Sequence, residues 1–107
     1  MNWIEISDVK DFPVGTGINA LVGEEQVAIF QYKKDEWYAI QNLCPHENQM
    51  ILSRGLVGDK NGVPKVACPA HKKNFNLKNG ECMEEESCGD LKSYPVKVDG
   101  DKVYIGA

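Results

Sequence analysis

The sequence is short of histidine, cysteine and positive charge. Its 107 residues include two His and four Cys, and 12 Lys and Arg stand against 16 Asp and Glu, a net charge of −4. Without a cationic excess there is no field to hold a phosphate backbone, so nucleic acid is not an expected partner. No apolar run approaches the ~18–20 residues that a membrane span needs. Residues 1–5 have neither the basic nor the apolar region of a secretory signal. A cytoplasmic protein with no membrane contact is therefore expected. The cysteines are too sparse for a disulfide-built secreted domain. In a reducing compartment, clustered cysteines bind metal or do chemistry more often than they form disulfides. Linkers, low-complexity tracts and repeats are missing as well, so residues 1–107 are expected to form one domain. Its core is thin enough that a bound metal would add stability. Helix signals are scarce too: the one stretch without a strong breaker, residues 48–54, has room for a single turn.

What the sequence does contain is a series of short β signals. Residues 18–22 are an apolar run, Gly23 to Glu25 a turn and residues 26–32 a second run, together a hairpin. Lys33 to Asp35 are polar, and residues 36–40 form the next strand candidate. Residues 56–57 and 63–67 flank a turn whose Asn61-Gly62 pair is a strong hairpin signal. Residues 94–98 and 102–105 enclose Asp99-Gly100-Asp101, again a hairpin. Pro64 and Pro95 belong at strand starts or edges, where a missing N–H is tolerated. Short strands separated by turns at intervals of about 8–12 residues argue for an all-β barrel or sandwich.

The chemistry gathers in two connecting segments. Cys44-Pro45-His46 and Cys68-Pro69-Ala70-His71 each place one thiol and one imidazole within four residues, and in each a proline stiffens the chain after the Cys. Both His and two of the four Cys lie here, and the 21 residues between His46 and Cys68 leave room for a hairpin that sets the loops side by side. Two thiols and two imidazoles suit a structural zinc, a mononuclear metal site, or a Rieske-type cluster in which two His replace two Cys on one iron. Zinc fingers usually pair Cys with Cys and His with His. Here each loop is mixed, which favours the cluster: each loop would send its thiolate to one iron and its imidazole to the other. Cys44, His46, Cys68 and His71 are thus the candidate ligands, of a [2Fe-2S] cluster before zinc, and no catalytic residue stands out beside them. Cys82 and Cys88 could be extra ligands or a redox pair, but are expected to be small core hydrophobes or inert thiols. Glu84 to Glu86 read as a solvated acidic turn. Trp37 belongs in the core by its apolar strand, while Lys72 and Lys73 fit a tuning role beside His71, contact with a partner, or plain exposure.

Phe75 stands four residues after His71, and Gly80 closes a turn after residues 76–79. With the twin loops, this resembles the second cluster loop of Rieske ferredoxins, in which a Cys-Pro-x-His run meets an aromatic residue and a short hairpin ending in Gly. The resemblance covers about residues 43–80 at motif level and the whole chain in strand count. It implies an all-β, Rieske-like iron–sulfur domain of stacked antiparallel sheets with two cluster-binding loops. Membrane-anchored respiratory Rieske proteins add a disulfide between the loops, at positions that are Gln49 and Ala70 here, and two hydroxyl donors, at positions that are Lys73 and Phe75 here. Fewer donors to the cluster imply a less stabilised reduced state and a potential on the order of −150 mV, at the low end of the Rieske range.

Two low-potential families resemble the chain further. One is the free-standing ferredoxin component of ring-hydroxylating dioxygenases. The other is the small subunit of assimilatory NAD(P)H nitrite reductase, which residues 25–30, 51–57 and 79–86 resemble in particular. Some members of that second family keep the fold without the ligands; this chain carries all four. The second resemblance implies an electron-transferring oxidoreductase subunit in nitrate assimilation, without a complete active site of its own. Its implied partner is a large subunit bearing FAD, sirohaem and a [4Fe-4S] cluster, which reduces nitrite to ammonium.

Overall fold

The computed structural model describes residues 2–43, 50–69, 72–84 and 89–107. Among them ten strands follow one another: β1 (Trp3–Asp8), β2 (Gly17–Val22), β3 (Glu25–Lys33), β4 (Glu36–Gln41), β5 (Leu56–Lys60), β6 (Val63–Ala67), β7 (Asn74–Asn76), β8 (Ser93–Tyr94), β9 (Val96–Asp99) and β10 (Lys102–Gly106). They pair antiparallel in three sheets, ordered β1-β10-β9, β2-β3-β4-β8 and β5-β6-β7. The all-β expectation holds. So do the hairpins at Gly23 and at Asn61-Gly62, where both residues of the latter pair take the positive φ that a tight two-residue turn requires. The turn expected within 48–54 is a short 3-10 turn at Leu52–Arg54; residues 48 and 49 lie outside the described ones. No helix among the described residues is long and apolar enough to cross a membrane.

The layering follows from β3, whose residues 27–31 are all buried. A run buried without alternation has a core on each face. Ala28 and Phe30 point into one core, with Ile40, Leu52, Val66, Cys68, Phe75, Leu77 and Leu91. Val27 and Ile29 point into the other, with Phe12, Ala39, Val103, Ile105 and Tyr94. The four-stranded sheet is therefore the middle layer, with the β5-β6-β7 sheet against one face and the β1-β10-β9 sheet against the other. Trp37 joins the second core, packed edge-on to Phe12 with ring centroids 5.4 Å apart.

Two elements differ from the sequence reading. Residues 94–98 are not one strand: at Pro95 the chain leaves the middle sheet, where Tyr94 pairs with Ala39, and enters the outer sheet, where Val96 pairs with Ile105. The proline, lacking an N–H, suits the junction where the ladder changes partner. The other is β1, a strand the hairpin signals miss, because its partner β10 lies at the far end of the sequence.

Candidate metal centre

Of the four candidate ligands the described residues include Cys68; Cys44, His46 and His71 lie outside them. Cys68 follows β6 directly and is fully buried in the first core. The backbone around it closes on itself. Its N–H donates to the carbonyl of Lys73 (2.9 Å), and its own carbonyl accepts the N–H of Lys72 (2.7 Å). Lys72 adopts φ +57°, a left-handed conformation that L-residues rarely take. Both ends of residues 68–73 are thereby tied together. A thiol buried at the root of a short backbone-clamped turn suits a thiolate ligand, and the donor set of two thiols and two imidazoles suits a Rieske-type cluster. Lys72 is exposed and Lys73 half-buried.

The other candidate loop is closed differently. Asn42, at the end of β4, is completely buried. Its N–H donates to the carbonyl of Gln26 on β3 (2.9 Å), and its side-chain Oδ1 accepts the N–H of Ser53 (2.6 Å). One side chain thus joins the residue before Leu43 to the 3-10 turn beyond Ile51. Leu43 and Ile51 pack against the same core as Cys68, so the roots of both loops share one apolar floor. Gly55 fixes the spacing: a Cβ there would stand 2.3 Å from the carbonyl oxygen of Ala67, the residue before Cys68.

Beyond the second loop, a hydrogen-bonded brace holds β7. Glu84 accepts both the N–H of Asn74 (2.8 Å) and its side-chain amide (3.1 Å), while Asn74 Oδ1 accepts from Lys65 Nζ (2.6 Å). The backbone hydrogen bond from Asn74, more than any other influence, holds the Glu84 carboxyl below its usual range. Glu84 is therefore a brace rather than part of a solvated turn; Glu85 and Glu86 are outside the described residues. Phe75, buried, pairs with Cys82 through an isolated bridge. The expectation for Cys82 is corrected in one respect. It packs against the first core as expected, but it is disulfide-bonded rather than an inert thiol. The physical reason is local: a single bridge to Phe75 ties it into a sheet, and a covalent tie constrains a segment with few ladder bonds. Gly80 closes the 76–80 turn as expected, at φ +80° and with its Cβ direction blocked by the Leu91 carbonyl.

Sequence reasoning missed Asn42 and Glu84 as positioning residues. The available signal was slight: a Gln-Asn pair between an apolar strand and a Cys, and an acid near a Cys-Met pair.

Comparison with known proteins gives a consistent result. Residues 2–106 match the family described as the Rieske-like [2Fe-2S] domain. The nitrite reductase (NADH) small subunit of Escherichia coli K12 is 41% identical over 97 residues, 90% of this chain and 89% of that protein. The nitrite reductase [NAD(P)H] large subunit of Klebsiella oxytoca is 39% identical over 105 residues, 97% of this chain; the chain spans 11% of that protein's length. A solved structure described as a putative nitrite reductase NADPH small subunit superposes with a TM-score of 0.91 at 34% identity, covering 100% of both chains.

Proposed function

The chain belongs to the Rieske-like [2Fe-2S] domain family, and on that premise we propose that it is the electron-transfer small subunit of an NAD(P)H-dependent nitrite reductase. One observation carries the reading: a chain similar over nearly its whole length to nitrite reductase small subunits bears two Cys-Pro-His-type loops, and the thiol of Cys68 is buried at the root of one of them. Relatives at about 40% identity being nitrite reductase subunits favours this over a free-standing dioxygenase ferredoxin.

In this reading residues 1–107 act as one cytoplasmic Rieske-type domain. Its partner is a large reductase subunit carrying flavin and sirohaem, with no nucleic acid or membrane involved. Cys44 and Cys68 would hold the cluster through thiolates, and His46 and His71 through imidazoles. When bound, the cluster supplies a one-electron carrier of low potential. The chain's own residues do the rest. Asn42 and the Lys72–Cys68 turn hold the loop roots. Leu43, Ile51 and Phe75 form a floor that keeps water from the buried thiol. Lys73 and Phe75 add no hydroxyl donor.

The test is iron and acid-labile sulfide analysis after anaerobic purification, with an EPR spectrum of the dithionite-reduced protein and a redox titration. The expected result is two irons and two sulfides per chain, a Rieske-type signal lost in His71→Ala, and a midpoint on the order of −150 mV. Zinc, or no metal after reconstitution, overturns the cluster; a clearly positive midpoint overturns the low-potential assignment.

A further inference from the structure

A groove of about 420 Å3 runs beside the 3-10 turn at Leu52–Arg54, lined by Gly15, Thr16, Gly17, Ser53, Arg54 and residues 55–57. Its floor is tight because its glycines have no room for side chains. A Cβ on Gly17 would stand 2.5 Å from the carbonyl oxygen of Ser53, and one on Gly55 would strike Ala67. Its wall is β5, which has β6 on one side and is the edge of its sheet. Open strand edges accept extended peptide. At this edge Leu56 is 74% exposed, the most exposed large hydrophobe of the described residues.

The charge beside the groove runs against the charge of the chain. Net charge is −4, yet the lip carries Arg54, the chain's single arginine, which is exposed. The Arg54 N–H donates to the Ile51 carbonyl, but its guanidinium has no hydrogen-bond or ion-pair partner among the described residues. Arginine presents a planar fork suited to carboxylate. The exposed Lys72 stands at the same end of β6, through its bond to the Cys68 carbonyl. Asp8 and Asp101 instead gather around a different cavity, beside Val9 and Lys10.

The groove is also close to the candidate metal centre. Leu56 pairs with Ala67, whose neighbour is Cys68. A contact here brings a partner to the strand that carries a candidate ligand.

We infer that this groove docks an extended, acidic segment of the large reductase subunit, with a carboxylate on Arg54 and an apolar side chain on Leu56. The inference rests on the nitrite reductase reading and names the surface that reading leaves open. Position selects the occupant: the groove's wall pairs with the strand that leads into Cys68, so an electron-exchanging partner is the one that gains by seating here, and the cationic lip selects an acidic segment of it.

The experiment measures binding of purified large subunit to immobilised, cluster-loaded small subunit at low and high salt. Arg54→Glu and Leu56→Asp are each expected to weaken binding by at least about tenfold while keeping the iron content and EPR signal. The Arg54 effect should shrink with added salt. Leu21→Asp, at a site 69% exposed on β2 and outside the groove, should leave binding within about twofold. Unchanged affinity in both groove variants overturns the groove and leaves the functional reading standing. If the wild-type chain does not bind the large subunit, the functional reading fails and the groove falls with it. Self-association of the wild type in sedimentation, abolished by Arg54→Glu, assigns the groove to a second copy and overturns the inference.

Discussion

The two candidate ligand loops are held at their roots by different chemistry. The first, spanning residues 43–51, is closed chiefly by a side chain: Asn42 Oδ1 accepts the N–H of Ser53 at 2.6 Å, while the main-chain bond from the Leu52 N–H to the Asn42 carbonyl is long, at 3.5 Å. The second, residues 68–73, is closed by main chain alone, through the paired bonds of Cys68 with Lys72 and Lys73. A side-chain clamp can be deleted by one substitution, whereas a main-chain clamp survives most changes of residue type. The longer loop therefore has the more mutable anchor. Loop closure becomes more costly in entropy with length, so that loop also has more to lose.

The sharpest way to test whether the loops act as a pair is to remove a ligand from the well-clamped one. Cys68→Ala should abolish the Rieske-type EPR signal while the far-ultraviolet circular dichroism stays that of a β protein. A retained signal would show that the second loop is not a ligand loop. Asn42→Ala breaks the side-chain clamp and leaves the Ser53 N–H without its acceptor. An unfolding cost of about 1–2 kcal/mol is expected by chemical denaturation, because the half-buried Ser53 N–H loses its acceptor and the fully buried Asn42 side chain is truncated, together with faster loss of iron to a chelator. A cost under about 0.5 kcal/mol would mean that the first loop closes without its clamp.

Smaller effects probe the surroundings of the main-chain clamp. Glu84 is bonded to Asn74 just beyond it, and the Asn74 N–H holds its folded-state carboxyl below the usual carboxylate range. A depressed carboxyl stabilises the fold fully above its unfolded pKa, and that contribution is lost as pH falls through the lower folded value. Glu84→Gln should therefore cost about 1 kcal/mol at pH 7, with a penalty that shrinks as the pH drops below about 4.5. Stability measured by urea titration across pH 3–7 checks this; a penalty constant with pH would refute it. Lys72→Gly should have the least effect. It relieves the strain of φ +57° but adds freedom to the unfolded chain, leaving a net stabilisation under about 1 kcal/mol in the same titration.

Much of the scaffold was legible because its turns are local. Gly23 and Asn61-Gly62 announce hairpins within a few residues of the strands they join, and the twin Cys-Pro motifs announce the loops. Non-local features were not legible. The partner of β1 comes from the other end of the chain, and the switch of sheets at Pro95 depends on which ladder lies nearby. The clamp at Asn42 joins residues 11 apart in sequence, and an asparagine after a strand gives no sign of which donor it will meet. The disulfide at Cys82 was misread because composition speaks to redox compartment and not to local geometry. Of the candidate site, the described residues include Cys68 and the roots of both loops.

The double burial of β3 sets an unusual condition on strand alignment. In a sheet with one wet face, a slip by one residue exposes apolar side chains and is penalised at once. Here a slip would exchange Val27 and Ile29 for Ala28 and Phe30, apolar for apolar. Among residues 27–30 polarity cannot tell the right alignment from the wrong one, and volume must, since Phe30 fits one layer and Val27 the other; the one polar mark is Gln31, buried and donating its side-chain amide to the Phe12 carbonyl. The short turns at either end, Gly23-Glu24 before β3 and Lys34-Asp35 after it, with Asp35 at φ +64°, act as the second check. Lengthening either turn by one residue would remove that check. Such a variant should populate a compact, mispaired species during refolding, and its excess over the wild type would measure how much of the alignment rests on side-chain size alone.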